Sequence, residues 1–145
     1  MFDSILKTVT SSLTGELKDK VYLDERKAND VAALTADSFK ESISEKASMG
    51  EIGDIVSMFS GGESGGGLKS LISNKLVSNL ISKLGIPEDI ASKVSGFAVP
   101  FIIEKFMGEA KQKGVDNEAG ITSMLSELAG DSLLGNVGSK LKGLF

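Results

Sequence analysis

A glycine-rich tract at residues 61–67 is the part of the sequence that most resembles a phosphate-binding motif. Five of its seven residues are glycines, and Lys69 and Ser70 follow it. A P-loop uses such a lysine to reach the phosphates and such a hydroxyl to bind magnesium. That motif needs both side chains directly after its second glycine. Lys69 comes two positions late if Gly61 and Gly66 are the two glycines, and one position late if they are Gly62 and Gly67. Because glycine makes a helix costly, we interpret residues 61–67 as a flexible linker between helices.

Two pairs of carboxylates could support acid–base chemistry or hold a cation. They are Glu88 with Asp89 and Asp116 with Glu118. Each pair falls in the first turn of a predicted helix, where the helix dipole favours acidic side chains, so neither pair requires a catalytic explanation. Residues 116–120 also lack the spacing of oxygen ligands that a calcium loop needs.

The residue types that most often carry catalysis or bind metals are missing. The chain contains no histidine, no cysteine and no tryptophan. This excludes histidine-based triads, zinc sites made of cysteine and histidine, and haem ligation by histidine. Catalysis by serine or lysine alone stays open, but no serine stands out from the others. We therefore expect a protein that is not an enzyme, with no cofactor and no metal site.

Nucleic acid is a poor candidate partner. The net charge is −4, and lysine and arginine nowhere form the basic stripe that neutralises phosphates. Residues 87–106 have some of the spacing of a helix-turn-helix, with Gly96 at the turn. Its second helix would offer Phe101, Ile102 and Ile103 to the major groove instead of polar side chains. A buried helical hairpin is favoured.

No segment has the pattern of a membrane span or a secretory signal. The longest apolar run is seven residues, 97–103, whereas a span needs about 20. Residues 1–6 lack a basic region followed by a long apolar core. A cytoplasmic location is compatible with these observations, and we expect one.

The first 60 residues predict three helices, because apolar side chains recur at helical spacing. The helices are expected at 2–19, 24–48 and 49–59. The second has few large apolar residues, so we expect it to lie on the outside of a bundle with a wide wet face. Its alanines at 28, 32 and 36 would let a neighbouring helix approach closely.

Residues 68–107 carry the most apolar patterning, and helices at 68–84 and 97–112 are expected to form the centre of the fold. A helix at 68–84 should end at Gly85, with Pro87 in the first turn of a short helix that ends at Gly96. The run 97–103 should open a further helix to about residue 112, which would bend at Pro100 if it begins before that proline.

A last helix at 116–128 precedes a glycine- and leucine-rich end with apolar residues at helical spacing. This end supplies the candidate interaction surface, which consists of Leu133, Leu134, Val137, Lys140, Leu141, Lys142, Leu144 and Phe145. Three roles are open for it: packing on its own bundle, self-association, and docking on a membrane surface.

Four features together resemble the YidB-like family of bacterial proteins of unknown function. They are the opening Met1–Leu6, the glycine tract, the corner 84–88 that leads into 99–103, and the closing stretch 133–145. The charged segment 20–48 departs from the style of that family. The resemblance implies a multihelical bacterial domain with no established activity, and it supplies no catalytic residue.

The sequence therefore predicts an all-α bundle of about seven helices in a single domain. It would consist of an N-terminal helical layer at 1–60, the linker at 61–67 and a C-terminal helical core at 68–145. We expect a non-enzymatic interaction or structural module that contacts a protein partner or itself. The alternatives are weak binding to a membrane surface through amphipathic terminal helices and the carriage of a small apolar ligand in a pocket near Pro100.

Overall fold

The computed structural model of the chain describes residues 2–59, 67–115 and 117–132. The predicted linker at 61–67 therefore falls almost wholly outside the described residues. Six helices make up the described part, and no strand occurs in it. Their bounds are α1 Phe2–Lys20, α2 Glu25–Ser48, α3 Ile52–Phe59, α4 Leu68–Leu84, α5 Glu88–Gln112 and α6 Glu118–Ser132.

Four of the helices form a ring around a common core. α1 packs against α2, α2 against α4, α4 against α5, and α5 against α1, while α2 and α5 also touch across the diagonal. The shorter helices α3 and α6 contact each other and pack on this ring. The prediction of an all-α bundle is confirmed, although with six helices rather than about seven.

The difference in helix number arises at α5. Residues 88–112 form one continuous helix, so the predicted break at Gly96 is wrong, and so is a turn between two separate helices. Pro100 lies inside the helix and has no N–H for the carbonyl of Gly96. Because Gly96 is exposed, water can reach that carbonyl and the helix continues. A bend at Pro100 stays a prediction.

The position of α2 also differs from the prediction. It contacts all five other helices instead of lying on the outside of the bundle. Small side chains occupy much of its buried surface, including Ala28, Ala32, Ala36, Ser38 and Ser42. Small residues let neighbouring helices approach on several sides, so the scarcity of large apolar residues was a misleading sign of exposure.

The ends of the helices follow the local sequence signals. Gly85 adopts the left-handed conformation at φ 65° and ends α4, and its N–H donates to the carbonyl of Ile81. Asp24 caps α2 by accepting a hydrogen bond from the N–H of Lys27 at 2.8 Å. Gly114, also left-handed, closes the turn after α5. The predicted end of α4 at Gly85 and the predicted end of α5 at about residue 112 are confirmed.

Four phenylalanine side chains from four helices meet in the core. We call Phe2, Phe39, Phe59 and Phe106 the phenylalanine cluster. The closest pair of rings, Phe2 and Phe106, has centroids 4.9 Å apart, and Phe106 lies 5.0 Å from Phe39 and 5.2 Å from Phe59. All four side chains are buried. The cluster therefore ties α1, α2, α3 and α5 together.

Candidate interaction surface

The interaction residues predicted from the sequence lie outside the described part of the chain. All eight of them, from Leu133 to Phe145, follow the end of α6 at Ser132. Their role stays a prediction. Among the described residues, the helix with apolar side chains along its outward side is α5, which the sequence predicted to lie at the centre of the fold.

The apolar run 97–103 is divided between the core and the surface. Its buried members are Ala98, Val99, Ile102 and Ile103, whereas Phe97, Pro100 and Phe101 are only half-buried. Phe97 and Phe101 also pack against the core. The expectation that this run lies at the centre of the bundle is therefore confirmed in part, because three of its seven members keep some surface exposed. A helix presents side chains all around its axis, so an apolar run of this length covers both its inner and its outer side.

The outward side of α5 carries a regular stripe of side chains. Its members are Ile90, Lys93, Phe97, Pro100, Glu104 and Met107, and we call them the outer stripe of α5. Ile90 is 46% exposed, Lys93 and Glu104 are exposed, and the other three are half-buried. The members are spaced alternately three and four residues apart, which is the spacing at which one helix packs along another. The stripe extends over about 25 Å of helix.

An aromatic pair lies at the middle of this surface. The rings of Phe97 and Phe101 stack with centroids 6.1 Å apart and an interplanar angle of 16°. The ammonium group of Lys105 lies over the ring of Phe101 at 5.7 Å from its centroid. This contact holds Phe101 beside the outer stripe. A second exposed branched side chain, Ile81 on the neighbouring helix α4, is 40% exposed.

The charges of the outer stripe are available for contacts with another molecule. Neither Lys93 nor Glu104 forms an ion pair with any residue that the structure describes. They lie on either side of the aromatic pair and carry opposite charges. Along the helix, the surface thus has an apolar middle, one charge on each side of it and one apolar residue at each end, a mixture of apolar and charged side chains that interfaces between proteins also contain.

A groove of about 420 Å³ lies between α1 and α2. Lys7, Thr10, Thr14, Ala33 and Asp37 are among the residues that line it. The hydroxyls of the two threonines already donate to carbonyl groups of their own helix at 2.6 and 3.1 Å. Lys7, Ser11, Asn29 and Asp37 also line the groove, so its wall is mixed in charge and carries no large apolar surface besides Leu6. None of residues 97–103 lines it, and the predicted apolar pocket near Pro100 stays a prediction.

Lys46, whose pKa is shifted from its ordinary value, has a structural role in the described part of the chain. The Lys46 ammonium group donates to Glu51 at 2.6 Å and to Asp54 at 3.4 Å, and its side chain is 15% exposed. The hydrogen bond with Glu51 is the main cause that raises the pKa of Lys46 above its ordinary value, while burial opposes the change. These contacts join the end of α2 to α3. In the described residues, no three acidic side chains converge to hold a metal ion.

The apolar side of α1 is used in the core. Phe2, Ile5, Val9, Leu13 and Leu17 are all buried in the bundle. In the folded chain this side is therefore not available to a membrane surface. Of the helices described between residues 2 and 132, none combines the length and the hydropathy that a bilayer span requires.

Comparisons with known proteins add nothing to these observations. No protein-family model matches the chain, no curated protein is similar to it, and no solved structure matches its fold. The resemblance to the YidB-like family accordingly stays a prediction from the sequence.

Proposed function

We propose that the protein is a non-enzymatic interaction module and that the outer stripe of α5 is its binding surface. The observation that carries this proposal is that Ile90 is exposed and that Phe97, Pro100 and Met107 keep part of their surface exposed on the same side of α5, although Phe97 and Met107 also pack against the core. Apolar residues that lie singly on a surface need no explanation, whereas here four of them follow one side of a single helix, interrupted only by Lys93 and Glu104.

The rigidity of the helix that bears the stripe supports this function. The opposite side of α5 is anchored by Ala91, Val94, Ala98, Ile102 and Phe106, all of them buried. The stripe is therefore presented in one fixed arrangement, so little conformational entropy is lost when a partner binds. The paired rings of Phe97 and Phe101 add a large apolar area at the middle of the surface, where interfaces concentrate their binding energy.

The charges nearby favour a protein partner over a lipid surface. Lys93 and Lys105 lie near the aromatic pair together with the acidic Glu104. A surface that binds anionic lipid needs an excess of cationic side chains around its apolar part. This mixture of charges gives little such attraction, whereas it suits a partner that offers both signs of charge.

Site-specific photo-crosslinking tests the proposal. Benzoylphenylalanine would replace Phe97 in the full-length protein, and the control would carry it at the exposed Ser12 on α1. We expect protein adducts from position 97 at a yield at least several times that from position 12. Adding Ile90→Asp to the position-97 protein should remove most of the adduct, because it places a charge in the apolar patch.

The thermal unfolding of each variant, followed by circular dichroism, verifies that the bundle is intact. Equal yields from positions 97 and 12 would overturn the proposal, and so would an adduct that Ile90→Asp leaves unchanged.

A further inference from the structure

We infer that the partner of the outer stripe of α5 is a second copy of the same chain, packed antiparallel about a two-fold axis. This inference rests on the proposed function and specifies the partner. It comes from the order of the side chains along the stripe. When a second copy of the helix runs in the opposite direction, each side chain of the stripe faces one of suitable chemistry on the other copy.

The order can be followed from the midpoint between Ala98 and Val99. When two antiparallel copies of a helix are related by a two-fold axis at this midpoint, residues at equal distances before and after it face each other. Lys93 and Glu104 lie at such equal distances, and so do Phe97 and Pro100. Ile90 and Met107 form the outermost pair of the same register.

Each of these pairings is chemically favourable. Lys93 of one copy would meet Glu104 of the other, and the symmetry makes this ion pair twice. Phe97 would lie against Pro100 of the other copy, and Ile90 against Met107, so apolar side chains meet apolar side chains. No like charges face each other along the stripe in this register.

The alternation of three and four residues supports the same arrangement. The members Ile90, Phe97 and Glu104 are seven residues apart, and so are Lys93, Pro100 and Met107. This spacing places all six side chains along one line of α5 that a second helix can follow, with apolar residues at four of the six positions and Lys93 and Glu104 at the other two. Among the residues that the structure describes, the inner side of α5 packs mainly against α4, α1 and α2 of the same chain, which leaves its outer side for a second copy.

Charge reversal gives a test that depends on this particular pairing. Lys93→Glu should place two acidic pairs across the two-fold axis, and Glu104→Lys should place two basic pairs there. Each variant alone should weaken the dimer about tenfold or more, because like charges that face each other oppose association. A mixture of the two variants should form a heterodimer, since each acidic residue would then face a lysine.

Sedimentation velocity of the full-length protein over a range of concentrations measures the effect. We expect dimers for the wild type, weakened dimers for each variant, and dimers again for the equimolar mixture. Lys7→Glu is the matched control, because Lys7 lies in the groove between α1 and α2, away from the stripe, and the charge change is the same. This control should associate as the wild type does.

Other outcomes overturn the inference in distinguishable ways. A wild-type protein that stays monomeric at every concentration excludes the second copy, and so does a mixture that fails to restore the dimer. If position 97 still forms adducts with a different protein in the cross-linking experiment, the interaction function survives without self-association. Flotation of a monomeric protein with anionic phospholipid vesicles, lost in Ile90→Asp, would assign the surface to lipid and overturn both proposals.

Discussion

Six of the seven phenylalanines lie in the described part of the chain, and they form two groups with different origins. The phenylalanine cluster joins side chains from four helices that are far apart in the sequence, and it is buried. The surface pair, Phe97 and Phe101, lies one turn apart on a single helix and is half-exposed. The first group depends on the whole fold, whereas the second needs only that α5 is helical.

The two groups meet on the same helix, which makes the comparison direct. Phe106 of the cluster and Phe101 of the pair are five positions apart on α5 and lie on different sides of it. The same residue type therefore serves stability on one side of the helix and leaves part of an apolar side chain at the surface on the other. Substitutions at the two positions should separate these roles.

The largest effect is expected for Phe106→Ala. Phe106 is fully buried and contacts three other rings, so truncation should lower the free energy of unfolding by about 3–5 kcal/mol. The matched change Phe101→Ala removes a half-exposed ring and its contact with Lys105, and should cost about 1 kcal/mol. Urea denaturation of both variants measures the two values.

A loss of this size can approach the whole stability of a domain, so Phe106→Leu serves as a milder variant. It keeps most of the apolar volume and should cost about 1.5 kcal/mol. Equal losses for Phe106→Ala and Phe101→Ala would contradict the division of α5 into a structural side and a binding side.

The comparison also explains what could be predicted from the sequence. Helix ends with a local signal, such as Gly85 and Asp24, were within reach, because a left-handed glycine or a capping carboxylate acts over a few residues. The all-α class followed from the helical period of the apolar residues. The phenylalanine cluster could not be predicted, because the pairing of distant helices depends on how their surfaces fit.

The outer stripe was missed for a related reason. The density of apolar residues at 97–103 indicated burial, but a continuous helix places successive members of such a run on different sides of its axis. The period of seven residues in Ile90, Phe97 and Glu104 was visible in the sequence and could have identified the stripe. It was obscured by the assumption that Gly96 ends a helix, since a break there divides the stripe in two.

Two buried serines on α2 allow a similar comparison between polar side chains, one without a hydrogen-bond partner and one with a partner. The hydroxyl of Ser42 is buried and has no hydrogen-bond partner in the residues described, whereas that of Ser38 accepts from the Asn79 amide at 3.2 Å. Ser42→Ala should raise the free energy of unfolding by about 1 kcal/mol, since it removes an unpaired buried group. Ser38→Ala should lower it by about the same amount, because the half-buried amide loses its acceptor.

Chemical denaturation of the two serine variants gives both signs in one experiment. If Ser42→Ala destabilises the protein as much as Ser38→Ala does, then the hydroxyl of Ser42 forms a hydrogen bond in solution, for example with a buried water molecule. Such a result would mean that the core near Phe39 contains a polar contact as well as apolar side chains.

The smallest effect is expected for the pH dependence of stability that Lys46 causes. Its ion pairs connect α2, which carries Phe39, with α3, which carries Phe59. The pKa of Lys46 is raised in the folded protein above its ordinary value of 10.5. Folding therefore favours the protonated lysine, and its contribution is complete below pH 10.5 and is lost as the pH rises through the folded pKa.

Comparing Lys46→Met with the wild type from about pH 8 to about pH 12 isolates this contribution, because other titrating groups are common to both proteins. We expect the wild type to be the more stable protein by a constant margin at the lower pH values and by a shrinking margin above pH 10.5. Lys69→Met, at an exposed lysine, should change stability little at any pH. If the margin of Lys46→Met stays constant through the titration, the connection between α2 and α3 depends on the packing of the lysine methylene groups. The ion pair would then contribute nothing to holding α3 over the phenylalanine cluster.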